Sequence, residues 1–417
     1  MSIQVLIPIN KRKFGVHSDL RRNPPAAAFR RYNMRMNSKE RVQHTLNRQP
    51  VDRIPIGFFA IDFDTVEKIL GHETYLRAKA RSQIAFWEGR RAEVAQSWKE
   101  DLIELYRKLD FVDIINVSAQ AAGVLPPAGA APEKVRRVNE NTWEAQDGRV
   151  WKYSPVTADL TLAHDPTAHF MLEQFDLEAE IAEPDPSIFE VVDAVTAAFP
   201  DRYILGPTGG EAGFVLLGDM EQGLRLYAEQ PELVRRAIAW ATRSAALLDR
   251  WYIRPGTDAA FWGQDFAATS GPLISPRMFR SFCLPSIQER VRAVKSRGLR
   301  VWKHACGNNW KLLDQFVEAG YEVYQAIQIS AGMDLARVKQ AYGSRLALWG
   351  GVMVEHLVDG TPADVYRDAE AALQIGPPGG GYIFGDTHSI AVGTKYDNFM
   401  ALLDAYHKLA GPAARRI

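Results

Sequence analysis

Cysteine is scarce in this chain of 417 residues: only Cys283 and Cys306 occur. Two thiols are too few for a disulfide framework, and they suit a reducing compartment where a thiolate can hold a metal. A charge surplus is also missing. Fifty Lys and Arg residues stand against fifty Asp and Glu, so no basic excess is available to neutralise a phosphate backbone. Neither nucleic acid nor a membrane surface is therefore the expected partner. No apolar run approaches the roughly 20 residues that span a bilayer. An apolar signal-peptide core is absent as well, which makes the cytoplasm the expected location. The first predicted strand is not followed by a Gly-x-Gly-x-x-Gly turn, which argues against a dinucleotide-binding open sheet.

One region is uneven. Residues 1–37 carry Lys11, Arg12, Lys13, Arg21, Arg22, Arg30, Arg31 and Arg35 against the single acid Asp19, with Pro24 and Pro25 among them. A transit peptide shares that composition, but the stretch reads as a disordered basic extension, or as sequence upstream of a natural start at Met34 or Met36. Folded structure is predicted from Ser38, read as an N-cap, through residue 417 as one domain.

Within that domain, short apolar runs alternate with helical patterns. The predicted strands are RIPIGFF, VDIINV, RYILGPTG, AAFWGQDF, RVWKHACG, EVYQAIQI, LALWGGV and GYIFGDT. About eight strands, each followed by a helix, predict a closed (β/α)8 TIM barrel in the α/β class. Two alternating runs, VRRVNEN and RVWKYSPV, flank Asp147-Gly148 and predict a β-hairpin insertion. A helix is predicted over Pro166 to Phe175. Ser275-Pro276 and Thr361-Pro362 are predicted helix starts, each a cap followed by proline at the first helical position.

The chemistry gathers at predicted strand ends. In LRVWKHACGNN the side chains of His304 and Cys306 leave the strand on one face while Ala305 points the other way. An imidazole and a thiol at the carboxyl end of a barrel strand are a candidate metal pair. The pair alone is a weak motif, because cysteine is often just a small buried apolar residue. Strand four ends in Gln264-Asp265, strand six in Gln325 and Gln328, and strand eight in Asp386-Thr387-His388, while strand seven leads to Glu355. Each has a structural alternative as a cap or a partner for backbone groups. In a closed barrel the last strand end can face the fifth across the mouth, which makes His388 the natural third ligand. Three protein ligands with a fourth position open is the catalytic zinc pattern.

The segments SKERVQHTLNRQPVDRIPI, QDFAATSGPLISPRMFRSFCLPSIQERV, KHACGN, LALWGGVMVEHLVDGTPADV and GGGYIFGDTHSI together resemble the uroporphyrinogen decarboxylase superfamily. The resemblance is to its branch of zinc-dependent corrinoid methyltransferases and runs from Ser38 to Leu409. It implies a (β/α)8 barrel, zinc on His304 and Cys306, and a methyl group passed to or from a separate corrinoid protein. In that branch the third ligand is a cysteine after the last strand, a position matched here by His388. The exchange of thiolate for imidazole would leave the metal a stronger Lewis acid, better suited to a methoxy oxygen or a water. No corrinoid domain is expected within the chain, since the Asp386-x-His388 start of such a signature continues into Ala391 instead of glycine. Uroporphyrinogen decarboxylases themselves carry an arginine-rich segment after the first strand. Asp62 and Asp64 stand there instead, unfavourable for a substrate with eight carboxylates.

These observations imply a methyltransferase with His304, Cys306 and His388 on zinc, and with Asp265 and Asp386 as acid/base or supporting groups. Glu211, Gln264, Gln325 and Asp62 are the expected substrate contacts. The aromatic residues Phe58, Phe59, Trp262 and Trp349 near strand ends would suit a flat aromatic ether, although barrel-strand aromatics are more often core. The alternative is a carboxy-lyase that handles a small carboxylated substrate without metal. A homodimer is common in the superfamily.

Overall fold

The computed structural model describes residues 35–121 and 123–411. Nearly all of the basic amino-terminal stretch thus lies outside the described residues. Seven parallel strands lie side by side in sequence order: β1 (Ile114–Asn116), β2 (Tyr203–Gly206), β3 (Ala259–Trp262), β4 (Arg300–His304), β5 (Val323–Gln325), β6 (Ala347–Val352) and β7 (Tyr382–Asp386). Register places Ile114 beside Tyr203, Trp302 beside Val323 and Gly351 beside Gly385. The eighth position belongs to the segment around Ile56 and Gly57, which bridges in parallel to Phe384 of β7 and to Ile114 of β1. Its amide at Gly57 donates to Phe384 O at 3.1 Å, and Asp113 N donates to Ile56 O at 2.9 Å. The sheet therefore closes on itself as a (β/α)8 barrel. Pro55 has no N–H to add to this ladder, which keeps the pairing short. Gly57 is required at the seam, because a Cβ there would lie 2.9 Å from the Cβ of Ile114.

Both faces of these strands are covered, which is why they read as continuous apolar runs. Tyr203, Phe261, Trp302 and Trp349 fill the barrel interior, with the Trp302 and Trp349 rings T-shaped at 5.8 Å and Ala259 and Ala347 leaving them room. Val42 and Leu46 of the helix Ser38–Leu46 join that interior cluster, so this helix plugs the amino-terminal end of the barrel. Asn37, not Ser38, is its N-cap, in a capping box with Glu40. The Ser38 hydroxyl is drawn instead to Asp113, a fully buried carboxylate at the foot of β1. Asp113 also accepts from Arg41 at 2.6 Å, from Arg53 at 2.7 and 2.9 Å, and from the Ile56 amide at 3.0 Å. One carboxylate thus joins the plug, the closing segment and the first strand.

Three expectations are corrected. The insertion is a four-stranded antiparallel sheet, Val135–Asn139, Thr142–Ala145, Val150–Ser154 and Asp159–His164, rather than a hairpin. Its first turn, where Asn141 N–H donates to Asn139 Oδ1 at 3.0 Å, is hidden inside a run that alternates without a glycine. The helix expected over residues 166–175 is only a 3-10 turn, Leu172–Gln174. Met171 and Leu172 project to solvent there, so no apolar stripe holds a helix down. Conversely, the helix Met220–Glu229, capped by Asp219, was not expected. Ser275 and Thr361 do cap their helices, through Met278 N–H and Asp364 N–H. Among the described residues no helix is long and apolar enough to cross a membrane.

Candidate metal centre

Alternation along β4 turns Trp302 and His304 into the barrel and Val301, Lys303 and Ala305 toward the surrounding helices. The strand then turns sharply. Gly307 has φ 80 and packs so close to the Ala267 carbonyl that a Cβ would sit 2.3 Å from it, so only glycine fits. Asn309 Nδ2 donates to the carbonyls of Ala305 at 3.0 Å and Cys306 at 2.8 Å, fixing the loop that carries the thiol. Cys306 Sγ lies 3.3 Å from His304 Nε2. His388, two residues past β7, completes the group, with one donor atom from each residue and all three within 4.8 Å of one another.

The ring orientation is held from behind. Gln325 Nε2 faces two acceptors, the carbonyls of His388 at 3.1 Å and Asp386 at 3.4 Å, so its Oε1 must be the atom that meets His304 Nδ1. That contact puts the His304 proton on Nδ1 and leaves the Nε2 lone pair toward Cys306 and His388. His388 Nδ1 is engaged with Ser389 Oγ at 3.0 Å. Phe59 stacks on His304 with ring centres 4.5 Å apart, walling off the imidazole. Gln325, expected as a substrate contact, is a strut between β4 and the loop after β7, with both ends of its amide engaged. Gln325→Leu is expected to weaken divalent-metal affinity by about tenfold to a hundredfold, measured by competition with a chromophoric chelator. Gln325→Glu, which keeps the acceptor, should retain most of it.

Burial lowers the proton affinity of both imidazoles, and the neighbouring His304 helps bring His388 to about 4. Both rings are therefore neutral near pH 7, the form that binds metal. Burial pushes the Cys306 thiol well up, with Asp265, Asp386 and Glu355 adding to the shift. Those same carboxylates favour a cation that displaces the thiol proton. Two nitrogens and one sulfur suit a borderline divalent ion. Their spread is wider than the edge of a tetrahedral site, about 3.3 to 3.8 Å from the usual bond lengths, by an amount side-chain adjustment can close.

Asp386 is fully buried and its carboxyl is raised to about 7, chiefly by desolvation. One oxygen accepts from His388 N–H at 3.1 Å, while Oδ1 has no partner among the described residues. Because the folded group holds its proton above the unfolded value, its contribution to stability is fully present below pH 3.8 and fades as pH rises through about 7. Thermal melts of metal-free protein should therefore show that Asp386→Asn gains stability relative to the unmodified chain as pH rises from about 4 to about 7, with the difference constant above that.

The remaining expected residues divide. Asp265 belongs to the centre: its Oδ1 accepts from Cys306 N–H at 2.7 Å and lies 3.9 Å from His304 Nε2. Asp62 is buried beside it electrostatically, acting on both His388 and Asp386. Glu211 and Gln264 are not brought to the centre. Lys303, forced outward by the alternation that turns His304 in, takes Glu211 as counter-ion at 2.6 Å and the Gln264 carbonyl at 2.6 Å. Tyr321 completes that fully enclosed group by donating to Glu211. Phe58, Trp262 and Trp349 are core residues, leaving Phe59 as the aromatic residue of the four at the centre. Arg77 had no signal in the sequence. It arrives from the loop before the helix Lys79–Trp87 and pairs with Asp62 at 2.8 Å, so this side of the mouth is not purely acidic as expected.

A parallel (β/α)8 barrel with a His, Cys, His cluster and acidic groups at the carboxyl ends of its strands defines an enzyme-like α/β protein. Residues 212–409 match the model of the uroporphyrinogen decarboxylase (URO-D) family. A protein described as uroporphyrinogen decarboxylase from Anaeromyxobacter dehalogenans (strain 2CP-C) is 27% identical over 240 residues. That match spans 53% of this chain and 63% of the relative, less than two thirds of its length. A solved structure described as a methyltransferase from Methanosarcina mazei superposes with a TM-score of 0.62. It covers 90% of this chain and 99% of its own at 18% identity, a likeness of fold.

Proposed function

We propose that this protein is a zinc-dependent methyltransferase that moves a methyl group to or from a separate corrinoid protein. The observation that carries the proposal is the convergence of His304, Cys306 and His388, with donor atoms within 4.8 Å, at the mouth of the barrel. When bound, zinc would supply Lewis acidity toward a methylated oxygen or a thiol. His304, Cys306 and His388 would hold it, and Gln325 keeps His304 in the tautomer that can. Phe59 shields the site from water. Asp386 carries its proton at Oδ1 below about pH 7, where it can be given to a leaving oxygen and taken back. Asp265 orients the Cys306 backbone and faces His304. A substrate with a methoxy group suits a site that has imidazole in place of a second thiolate.

The test is loss of the methyl group from methoxylated aromatic donors in the presence of reduced cobalamin. Chelator-stripped protein should be inactive and should recover when zinc is returned. A metal-free carboxy-lyase is the second reading, favoured by a buried acid near pKa 7 and by Arg77 at the mouth. Activity on a carboxylated substrate that survives stripping would establish it in place of the first.

A further inference from the structure

Arg77 stands between the metal centre and a cavity. On one side its guanidinium lies 6.0 Å from the centre of the Phe59 ring, which also stacks on His304. On the other it lines a cavity of about 280 Å³ whose walls include Phe86, Trp98 and Trp151. Both polar partners of the pair are nearly enclosed, with Arg77 9% and Asp62 8% exposed. Arg77 Nε and Nη2 both reach the same oxygen of Asp62, at 2.9 and 2.8 Å, and Nη1 donates to the Gln120 carbonyl at 2.6 Å. A guanidinium fork matches a carboxylate best through both oxygens, so Asp62 occupies it without saturating it. The Arg77 backbone is held at φ 61, a left-handed conformation that disfavours any side chain. Asp62 has somewhere else to go: it is the N-cap residue of the helix Phe63–Leu70, yet its side chain makes no capping bond. Released from Arg77, it would turn to the amino end of that helix, the favoured place for an aspartate.

We infer that Arg77 is a carboxylate-recognition residue, and that a small aromatic acid seated in the adjoining cavity exchanges with Asp62 for its guanidinium. The aromatic walls select the ring and the fork selects the carboxylate. No bond is made or broken; one carboxylate replaces another, so the charge at Arg77 stays balanced. The inference goes beyond the methyltransferase reading: with Arg77 and Phe59 between the cavity and the metal centre, the acid is held apart from the metal, and its binding is measured apart from metal and turnover.

Isothermal titration of the full chain with benzoate tests it. Wild-type protein should bind benzoate, and Arg77→Met should weaken binding by about tenfold or more. Asp62→Asn, which removes the competing charge, should tighten it by about threefold or more. Arg77→Lys keeps the charge without the fork and should fall between wild type and Arg77→Met. Methoxybenzene and inorganic phosphate should each bind far more weakly than benzoate. The inference is overturned if wild type shows no benzoate binding at millimolar concentration, or if methoxybenzene or phosphate binds as well. It is also overturned if Asp62→Asn weakens binding, since the pair is then a structural clamp. Zinc content is measured on the same samples. Lost zinc with benzoate binding intact counts against the methyltransferase reading alone, and the converse against this inference alone.

Discussion

Protein in which His304 and Cys306 are both alanine is expected to purify without zinc, whereas the unmodified chain should bind about one equivalent. Structural zinc is worth about 10 to 16 kcal/mol over four donors, so each donor contributes about 3 kcal/mol and either single substitution should cost about a hundredfold in affinity. The double variant falls below detection. Because the Cys306 thiol is protonated at neutral pH in the metal-free protein, metal uptake should release about one proton. Calorimetry in two buffers of different ionisation enthalpy reads that proton directly. His304 also packs against Phe59, so melting curves must show that the variants remain folded. Zinc retained at full stoichiometry by the folded double variant would defeat the metal centre.

The largest effect on stability is expected at Asp113. Its carboxylate is fully buried and balances two buried guanidinium groups, Arg41 and Arg53. Removing one partner of such a cluster leaves charge uncompensated in a medium that cannot solvate it, which costs about 3 to 5 kcal/mol. Asp113→Ala should therefore lower the urea midpoint substantially, and it should also loosen the barrel seam because the Ile56 amide loses its acceptor. The contrast is the exposed pair Arg136 and Glu144 on the inserted sheet, where Glu144→Ala should cost under about 1 kcal/mol. A loss at Asp113 as small as that would mean the three groups do not act as one lock.

Much of the barrel is legible in the chain because its strands are buried on both faces. β4, β6 and β7 read as apolar blocks set apart by helices with plain caps. The first barrel segment was found for the same reason, although proline and a seam glycine reduce it to isolated bridges. The inserted sheet was harder. Its first turn uses Asn139, Glu140 and Asn141 in positions that leave the alternation unbroken, so only the turn at Asp147-Gly148 is legible and one hairpin stood in for four strands.

At the centre, local spacing alone puts His304 and Cys306 on one face of one strand, because the pleat has a period of two. The same period sends Lys303 outward and takes Glu211 and Gln264 with it, since a buried ammonium demands a counter-ion. No local rule says which polar strand ends are drawn to that ammonium and which to the mouth.

The sequence by itself determined the fold class, the alternation of strands and helices, and the pairing of an imidazole with a thiol, all consequences of short-range periodicity and composition. Only the tertiary structure decided that His388 meets that pair, that Gln325 is a strut, and that Arg77 reaches Asp62. Those are contacts between residues 15 to 84 positions apart in the numbering, made neighbours by closure of the sheet, and closure is a property of the whole ring of strands rather than of any segment in it.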